Sequence, residues 1–197
     1  MRYRGPEERP AEGYRRGLLE VTPLPCAVSN STALIYLARC HELKLLQRLF
    51  KYVLIPRAVY VEVVERGLAE GRSDAVFIED GVEDGWIRVK RLDEEHKRFA
   101  EELVLRHHIS AGEAEAIALG HAFKRCIVIL DEKAARHLAE TLRLKFIGTV
   151  GVLKRCLKTG ILEPREFVDL INALLRGGFR LDSEVVSEAM REAILPT

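Results

Sequence analysis

The chain has 197 residues, a formal net charge of +1 and 31% charged residues. A chain this long buries roughly 70% of its unfolded surface, enough for a core that needs no disulfide or metal staple, and one domain is the expected count. No run approaches the roughly 18 apolar residues of a spanning helix, and the charged stretch Met1 to Arg16 lacks the apolar region of a secretory signal. The reading is a cytoplasmic protein with no membrane partner. Its near-neutral charge means that any phosphate contact must come from a local patch.

The four cysteines, Cys26, Cys40, Cys126 and Cys156, are widely spaced and form no C-x-x-C pair, which argues against zinc. Cys26 and Cys126 fall in expected buried strands, where a free thiol acts as a small hydrophobe. Amides are scarce: Asn30, Asn172 and Gln47 are the full set. That bias matches thermophile composition, for which an intracellular disulfide is not excluded. It also makes Asn30 conspicuous.

Residues 1–22 read as a charged N-terminal arm. Its simplest role is a solvated tail; the alternative is an RNA contact through Arg2, Arg4, Arg15 and Arg16. Leu24 to Val28 reads as the first strand, ending at Ser29-Asn30-Ser31, and Thr32 to Cys40 as a helix. Leu43, Leu45, Leu46, Leu49 and Phe50 mark a second short helix. Val53 to Ile55 is the next strand, and Pro56 suits a first helical position. The stretch Val59 to Val64 has the β-branched content of a strand, but its Pro start and its continuation to Gly67, a possible C-cap, favour a helix.

Trp86 to Val89 reads as a short strand and Glu94 to Leu105 as a helix. Ser110 and Glu113 have capping-box spacing, and the Ala-rich helix behind them, Ala114 to Phe123, can lie close to a sheet. Cys126 to Leu130 reads as a buried strand, followed by a helix over Glu132 to Leu142 and a strand over Lys145 to Ile147. Gly148 to Gly151 turns into a helix through Lys158. Pro164 to Leu175 and Ser183 to Ile194 are closing helices, separated by Gly177 and Gly178. Short strands alternating with helices predict an α/β fold: a parallel sheet between two helical layers.

In such a sheet the loops after the strands gather at one edge and carry the ligand site. Asn30 and Asp131 both follow expected strands. Glu113 lies in a first helical turn, and Glu62 is a lone charge in an apolar run, where a buried charge needs a partner. Two carboxylates at about 4 Å repel by about 1 kcal/mol in water and about 4 kcal/mol at an effective dielectric near 20. A divalent cation relieves that repulsion. Hard oxygen donors without His or Cys point to Mg²⁺ or Mn²⁺, ions that activate water for phosphodiester hydrolysis.

Each of these residues also has a plain alternative. Asp131 could cap the following helix, Glu113 could serve only the capping box, Glu62 could pair with Arg57 or Arg66, and Asn30 could form an Asx turn. Glu115 reads as a solvated helix residue and an understudy to Glu113. Arg136 and Lys133 read as surface cations, with phosphate or site contact as the alternative. His107-His108 reads as a polar loop, and Trp86 and Tyr60 as packing residues.

Five segments together resemble the PIN domain, and within it VapC-like endoribonucleases. They are Val28 to Ile35, Leu54 to Glu62, Ser110 to Leu119, Ile129 to Arg136 and Ile147 to Leu153. The order and spacing fit over 24–158, and the closing helices resemble those of an uncharacterised PIN-like subgroup. The resemblance implies a three-layer α/β/α fold with a short parallel sheet and extra C-terminal helices. The implied organisation is an arm at 1–22, a nuclease domain at 23–160 and a packed helical extension at 161–197.

It also implies an Mg²⁺- or Mn²⁺-dependent endoribonuclease, or the toxin of a toxin–antitoxin pair. The implied partners are RNA, a small antitoxin protein and a second copy of the chain. The catalytic set falls on Asn30, Glu62, Glu113 and Asp131, with Asn30, Glu113 and Asp131 as metal ligands. Asn30 departs from the family's Asp, and the subgroup often shows Asn there; Ser29 and Ser31 beside it could add hydroxyl contacts. A rival reading is a catalytically degenerate PIN-like domain that binds RNA or protein. Another is an interaction module that docks a partner on the apolar stripe Val168, Ile171 and Leu175.

Overall fold

A computed structural model of the protein describes residues 24–194. The arm at 1–22 and its four arginines lie outside the described residues. Five strands, β1 (Ala27–Ser29), β2 (Val53–Pro56), β3 (Ile87–Lys90), β4 (Ile127–Ile129) and β5 (Phe146–Ile147), form one sheet in the order β3-β2-β1-β4-β5. Every pairing is parallel. The sheet is therefore covered on both faces, and period-two alternation sorts its side chains.

On one face Ala27, Val53, Ile55, Ile87 and Ile129 enter a core shared with α1 (Ser31–Arg39), α2 (Lys44–Leu49), α5 (Ser73–Glu83), α9 (Thr149–Lys158), α10 (Pro164–Arg176) and α11 (Ser183–Ile194). On the other, Cys26, Val28, Leu54, Val128 and Leu130 meet α6 (Glu94–His107), α7 (Ala111–Ala122) and α8 (Lys133–Thr141). The result is the three-layer α/β/α fold expected from the sequence. The Ala-rich α7 does lie close to the sheet: Gly120 packs against Val128 with no room for a Cβ.

The chain runs outward from β1 to β2 and β3, crosses back, and runs outward again through β4 and β5. The order reverses between β1 and β4. That switch point opens a crevice beyond the carboxyl ends of those two strands. Asn30 follows β1 directly and Asp131 lies two residues after β4.

Several boundaries differ from the sequence expectation. After β2 the chain forms α3 (Arg57–Tyr60), a π-helical stretch Val61–Arg66 and α4 (Gly67–Ala69), so the ambiguous segment is helical. The β-branched crowding at Val59, Val61, Val63 and Val64 fits the widened turn, since such side chains strain an ordinary helix. Gly67 does not end this helix. A Cβ there would lie 2.6 Å from the Ala75 Cβ, so glycine allows α4 and α5 to touch, and the turn comes at Gly71 with φ +68°. The helix α5 itself has no counterpart in the sequence reading; it buries Ala75, Ile78 and Gly81 while leaving Val76 and Phe77 exposed.

One open question is answered and one further expectation is corrected. Cys26 and Cys126, whose pairing the sequence leaves open, form a disulfide, with Cα atoms 4.7 Å apart. They precede adjacent parallel strands, and the Ile127 N–H donates to the Cys26 carbonyl at 3.2 Å, which brings the pair within bridging range. Cys40 and Cys156 remain thiols. The stripe Val168, Ile171 and Leu175 is not presented to a partner: Ile171 is fully buried and the other two pack against the same core. The closing helices join that core through Phe167, Leu170, Ile171 and Leu174.

Candidate functional site

Asn30 occupies the N-cap position of α1 with extended backbone angles and makes no capping hydrogen bond. Its backbone N–H donates to the Ile129 carbonyl at 3.4 Å, tying it to β4. The side chain is 2% exposed, and its Oδ1 is buried without a hydrogen-bond partner. A turn-forming amide would satisfy that oxygen locally, so the Asx-turn alternative does not describe this residue. An orphaned buried acceptor costs about 1–3 kcal/mol.

Asp131 is half-buried and does not cap α8, whose N-cap is Glu132. Its Oδ1 accepts the Thr149 backbone N–H and its Oδ2 accepts the Thr149 hydroxyl, both at 2.7 Å. The carboxylate thus sits at the N-terminus of α9, where the helix dipole favours negative charge. Gly148 permits the approach, because a Cβ there would lie 3.1 Å from Oδ1. Burial pushes the Asp131 carboxyl above its ordinary value, against the opposing pull of the Thr149 hydrogen bonds and the Arg136 guanidinium.

Glu113 forms the capping box anticipated from sequence: its Oε2 accepts the Ser110 N–H at 2.9 Å and the Ser110 hydroxyl at 2.8 Å. Its Oε1 is buried and unpartnered. One oxygen thus serves structure and leaves the other uncommitted. Glu62 is exposed rather than a buried charge. Its position on the π-helical stretch carries its Oε2 to the Ser31 hydroxyl, which donates at 2.6 Å. Neither Arg57 nor Arg66 pairs with it; Arg57 bridges to Glu65 at 2.7 Å. A Cβ on Gly112 would lie 3.6 Å from Glu62 Oε2 and 3.7 Å from Ser31 Oγ.

The residues named from sequence therefore follow one another along the carboxyl edge. Glu113 adjoins Gly112, Gly112 lies against Glu62 and Ser31, Ser31 follows Asn30, and Asn30 is tied to the end of β4 just before Asp131. Among the described residues, no three His, Cys, Asp or Glu side chains gather into a group that could hold a metal ion. Ser29 turns its hydroxyl to the Asn30 carbonyl at 2.9 Å and so does not face the site. Glu115 is not a solvated residue: its Oε2 accepts the Ala58 N–H at 3.0 Å and secures the start of α3.

Thr149 was not singled out from sequence. Its signal was the Gly148-Thr149 pair opening a helix directly after the last strand, which places a hydroxyl and a free N–H at the same edge. His107 and His108 lie on an exposed helix end, as expected of a polar loop. Trp86 is buried in the core and Tyr60 packs against it.

A five-stranded parallel sheet between two helical layers, with a crevice at its switch point, defines a three-layer α/β/α fold. A family model described as a PIN domain matches residues 26–194, and the chain belongs to that family. The match includes the two closing helices. No curated protein and no solved structure matches the chain significantly. The family is of nuclease type, linked to RNA and generally dependent on divalent metals. Among the described residues, no helix is long and apolar enough to cross a membrane.

Proposed function

We propose that this protein is a metal-dependent endoribonuclease whose ion is held by Asn30, Glu113 and Asp131. The observation that carries the reading is that Asn30 Oδ1, just past β1 at the sheet's switch point, and Glu113 Oε1 are both buried without a hydrogen-bond partner. Buried acceptors without donors fit a hard cation, and the set contains oxygen only, as Mg²⁺ and Mn²⁺ prefer. Among the described residues the acidic side chains alone form no metal-binding group, so in this reading the Asn30 amide belongs to the ligand set.

A divalent ion bound there supplies Lewis acidity toward a phosphodiester and lowers the pKa of water. The protein supplies the rest. Thr149 fixes the Asp131 carboxylate in one orientation through two hydrogen bonds. Ser110 fixes one oxygen of Glu113 and leaves the other without a protein partner, so that it could serve as a ligand. Ser31 holds one oxygen of Glu62, so that the second can accept a proton from the attacking water.

The test is cleavage of single-stranded RNA by the purified chain with Mn²⁺, Mg²⁺ or excess chelator. Cleavage requires the ion and disappears in Asp131→Asn. Cleavage in chelator, or an unchanged rate in that variant, refutes the assignment. A second reading, a degenerate domain that binds RNA without cutting it, is favoured by one observation: Asn30 stands where the family pattern has Asp. Absence of cleavage in the parent, with cleavage acquired by Asn30→Asp, selects that reading. A toxin role within a toxin–antitoxin pair adds one requirement, growth arrest on expression that depends on Asp131.

A further inference from the structure

A cleft of about 1020 Å³ opens from Asp131, and its far wall is the segment joining α10 to α11 together with the start of α11. The near wall is α8, which contributes Lys133 and Arg136; the far wall contributes Arg180. Among the described residues, neither Arg136 nor Arg180 takes part in a salt bridge. Both are exposed. Lys133 reaches across to the far wall and meets Asp182 at 3.1 Å, with both side chains largely exposed.

The far wall is fixed in place by other contacts. Lys154 on α9 holds Glu188 at 2.9 Å and Glu192 at 3.1 Å on α11, and Tyr36 stacks edge-on against Phe179 at 4.9 Å. Lys133 and Arg136 thus stand on one wall and Arg180 on the other, on either side of an approach to Asp131. Acidic side chains line the cleft as well, Asp131, Glu132, Asp182 and Glu188; Asp182 is the one that meets Lys133.

Resting on the nuclease reading above, we propose that Lys133, Arg136 and Arg180 form a phosphate track for the backbone of single-stranded RNA, and that Asp182 is a displaceable stand-in for one phosphate. An exposed ion pair contributes little, so a backbone phosphodiester, a monoanion like the carboxylate, replaces Asp182 at Lys133 when neighbouring phosphates of the same strand are held at Arg136 and Arg180. The closing helices then take part in substrate binding as the second wall of the cleft.

The experiment is fluorescence anisotropy of a labelled single-stranded oligouridylate with the full chain in excess chelator, where no cleavage occurs, over a series of KCl concentrations. Arg180→Ala and Lys133→Ala each weaken binding about three- to tenfold and reduce the slope of log affinity against log salt by about 0.7. Asp182→Asn, by contrast, tightens binding, a gain that a merely structural role for Asp182 does not produce. Lys97→Ala, on exposed α6, is the control. If the parent binds RNA but Arg180→Ala and Lys133→Ala leave affinity unchanged, or Lys97→Ala weakens it equally, the track is refuted while the nuclease reading survives. Unchanged or weaker binding by Asp182→Asn refutes the stand-in. A parent that neither binds nor cleaves RNA overturns both proposals.

Discussion

Substituting Asn30 by Asp places a second carboxylate next to Asp131 in a position that is 2% exposed. Asn30 is one residue out of level with Asp131 on neighbouring strand ends, a separation of roughly 5–8 Å, at which two unit charges repel by about 2–3 kcal/mol at an effective dielectric near 20. Solvent at the half-exposed Asp131 holds this to the lower end, about 2 kcal/mol. For a chain of this size 1 kcal/mol moves Tm by about 2–4 °C, so Asn30→Asp without metal melts roughly 4–8 °C below the parent at pH 7.5. Lowering the pH favours the neutral form of the new carboxyl, which burial and a like charge both promote, and narrows the gap. A divalent ion reverses it: at about 100 times its Kd, binding adds about 2.7 kcal/mol. Differential scanning fluorimetry with a Mn²⁺ titration reads both effects. Mn²⁺ then raises Tm more in Asn30→Asp than in the parent. Equal melting of the two proteins without metal, or a larger Mn²⁺ shift in the parent, refutes the placement of Asn30 in the ligand set.

The Asp131 carboxyl is raised by burial. A group with a raised folded pKa contributes stability below its unfolded value and loses it as pH rises through the folded value. Ionised Asp131 is therefore a cost at neutral pH, and Asp131→Asn is expected to abolish cleavage without lowering Tm at pH 7; a fall of many degrees would show a structural residue instead. Thr149→Val removes a donor to the charged form, so carbon-13 NMR titration should place the Asp131 pKa higher than in the parent, and an unchanged value contradicts the hydrogen bond. Phe167→Ala deletes a fully buried ring of α10 and costs about 3–5 kcal/mol; chemical denaturation showing less than 1 kcal/mol would make the closing helices a separate appendage. Reduction of the disulfide opens a loop of separation 100 residues, worth about 4.7 kcal/mol on the chain-entropy account, so dithiothreitol should lower Tm by roughly 10 °C or more.

The strands were readable because each is a short apolar run between turn residues, and the switch-point residues were readable because they end two of those runs. What could not be read depended on contacts between distant segments. The helix α5 exposes Val76 and Phe77 and buries Asp74, which meets Arg39 at 3.4 Å; those departures blur the amphipathic pattern. Glu62 looked buried because its neighbours Val63 and Val64 are, yet the π-helical turn places it toward Ser31. Glu115 looked solvated because nothing local shows that the Ala58 N–H lies opposite. Thr149 gained its role only when β4 and β5 paired, and the disulfide became visible only when β1 and β4 did.

That last pairing connects stability to the site. Cys26 and Cys126 lie at the amino ends of β1 and β4, while Asn30 and Asp131 lie just past the carboxyl ends of the same strands. Ser29 pairs with Ile129, so Asn30 comes level with Leu130, one residue short of Asp131. A slip of one residue would turn every side chain of β4 to the opposite face. The slip is resisted at one end by the covalent bridge and at the other by the Asn30 N–H to Ile129 hydrogen bond. Such short strands carry little register information of their own, since β1 and β4 each span three residues. The disulfide therefore does more than raise the melting temperature: it fixes which residue following β4 stands beside Asn30. Reduction should accordingly weaken Mn²⁺ binding at temperatures where the fold persists, as read by calorimetric titration at 25 °C. Unchanged affinity in the reduced, still folded protein would show that the hydrogen-bonded ladder alone holds the register.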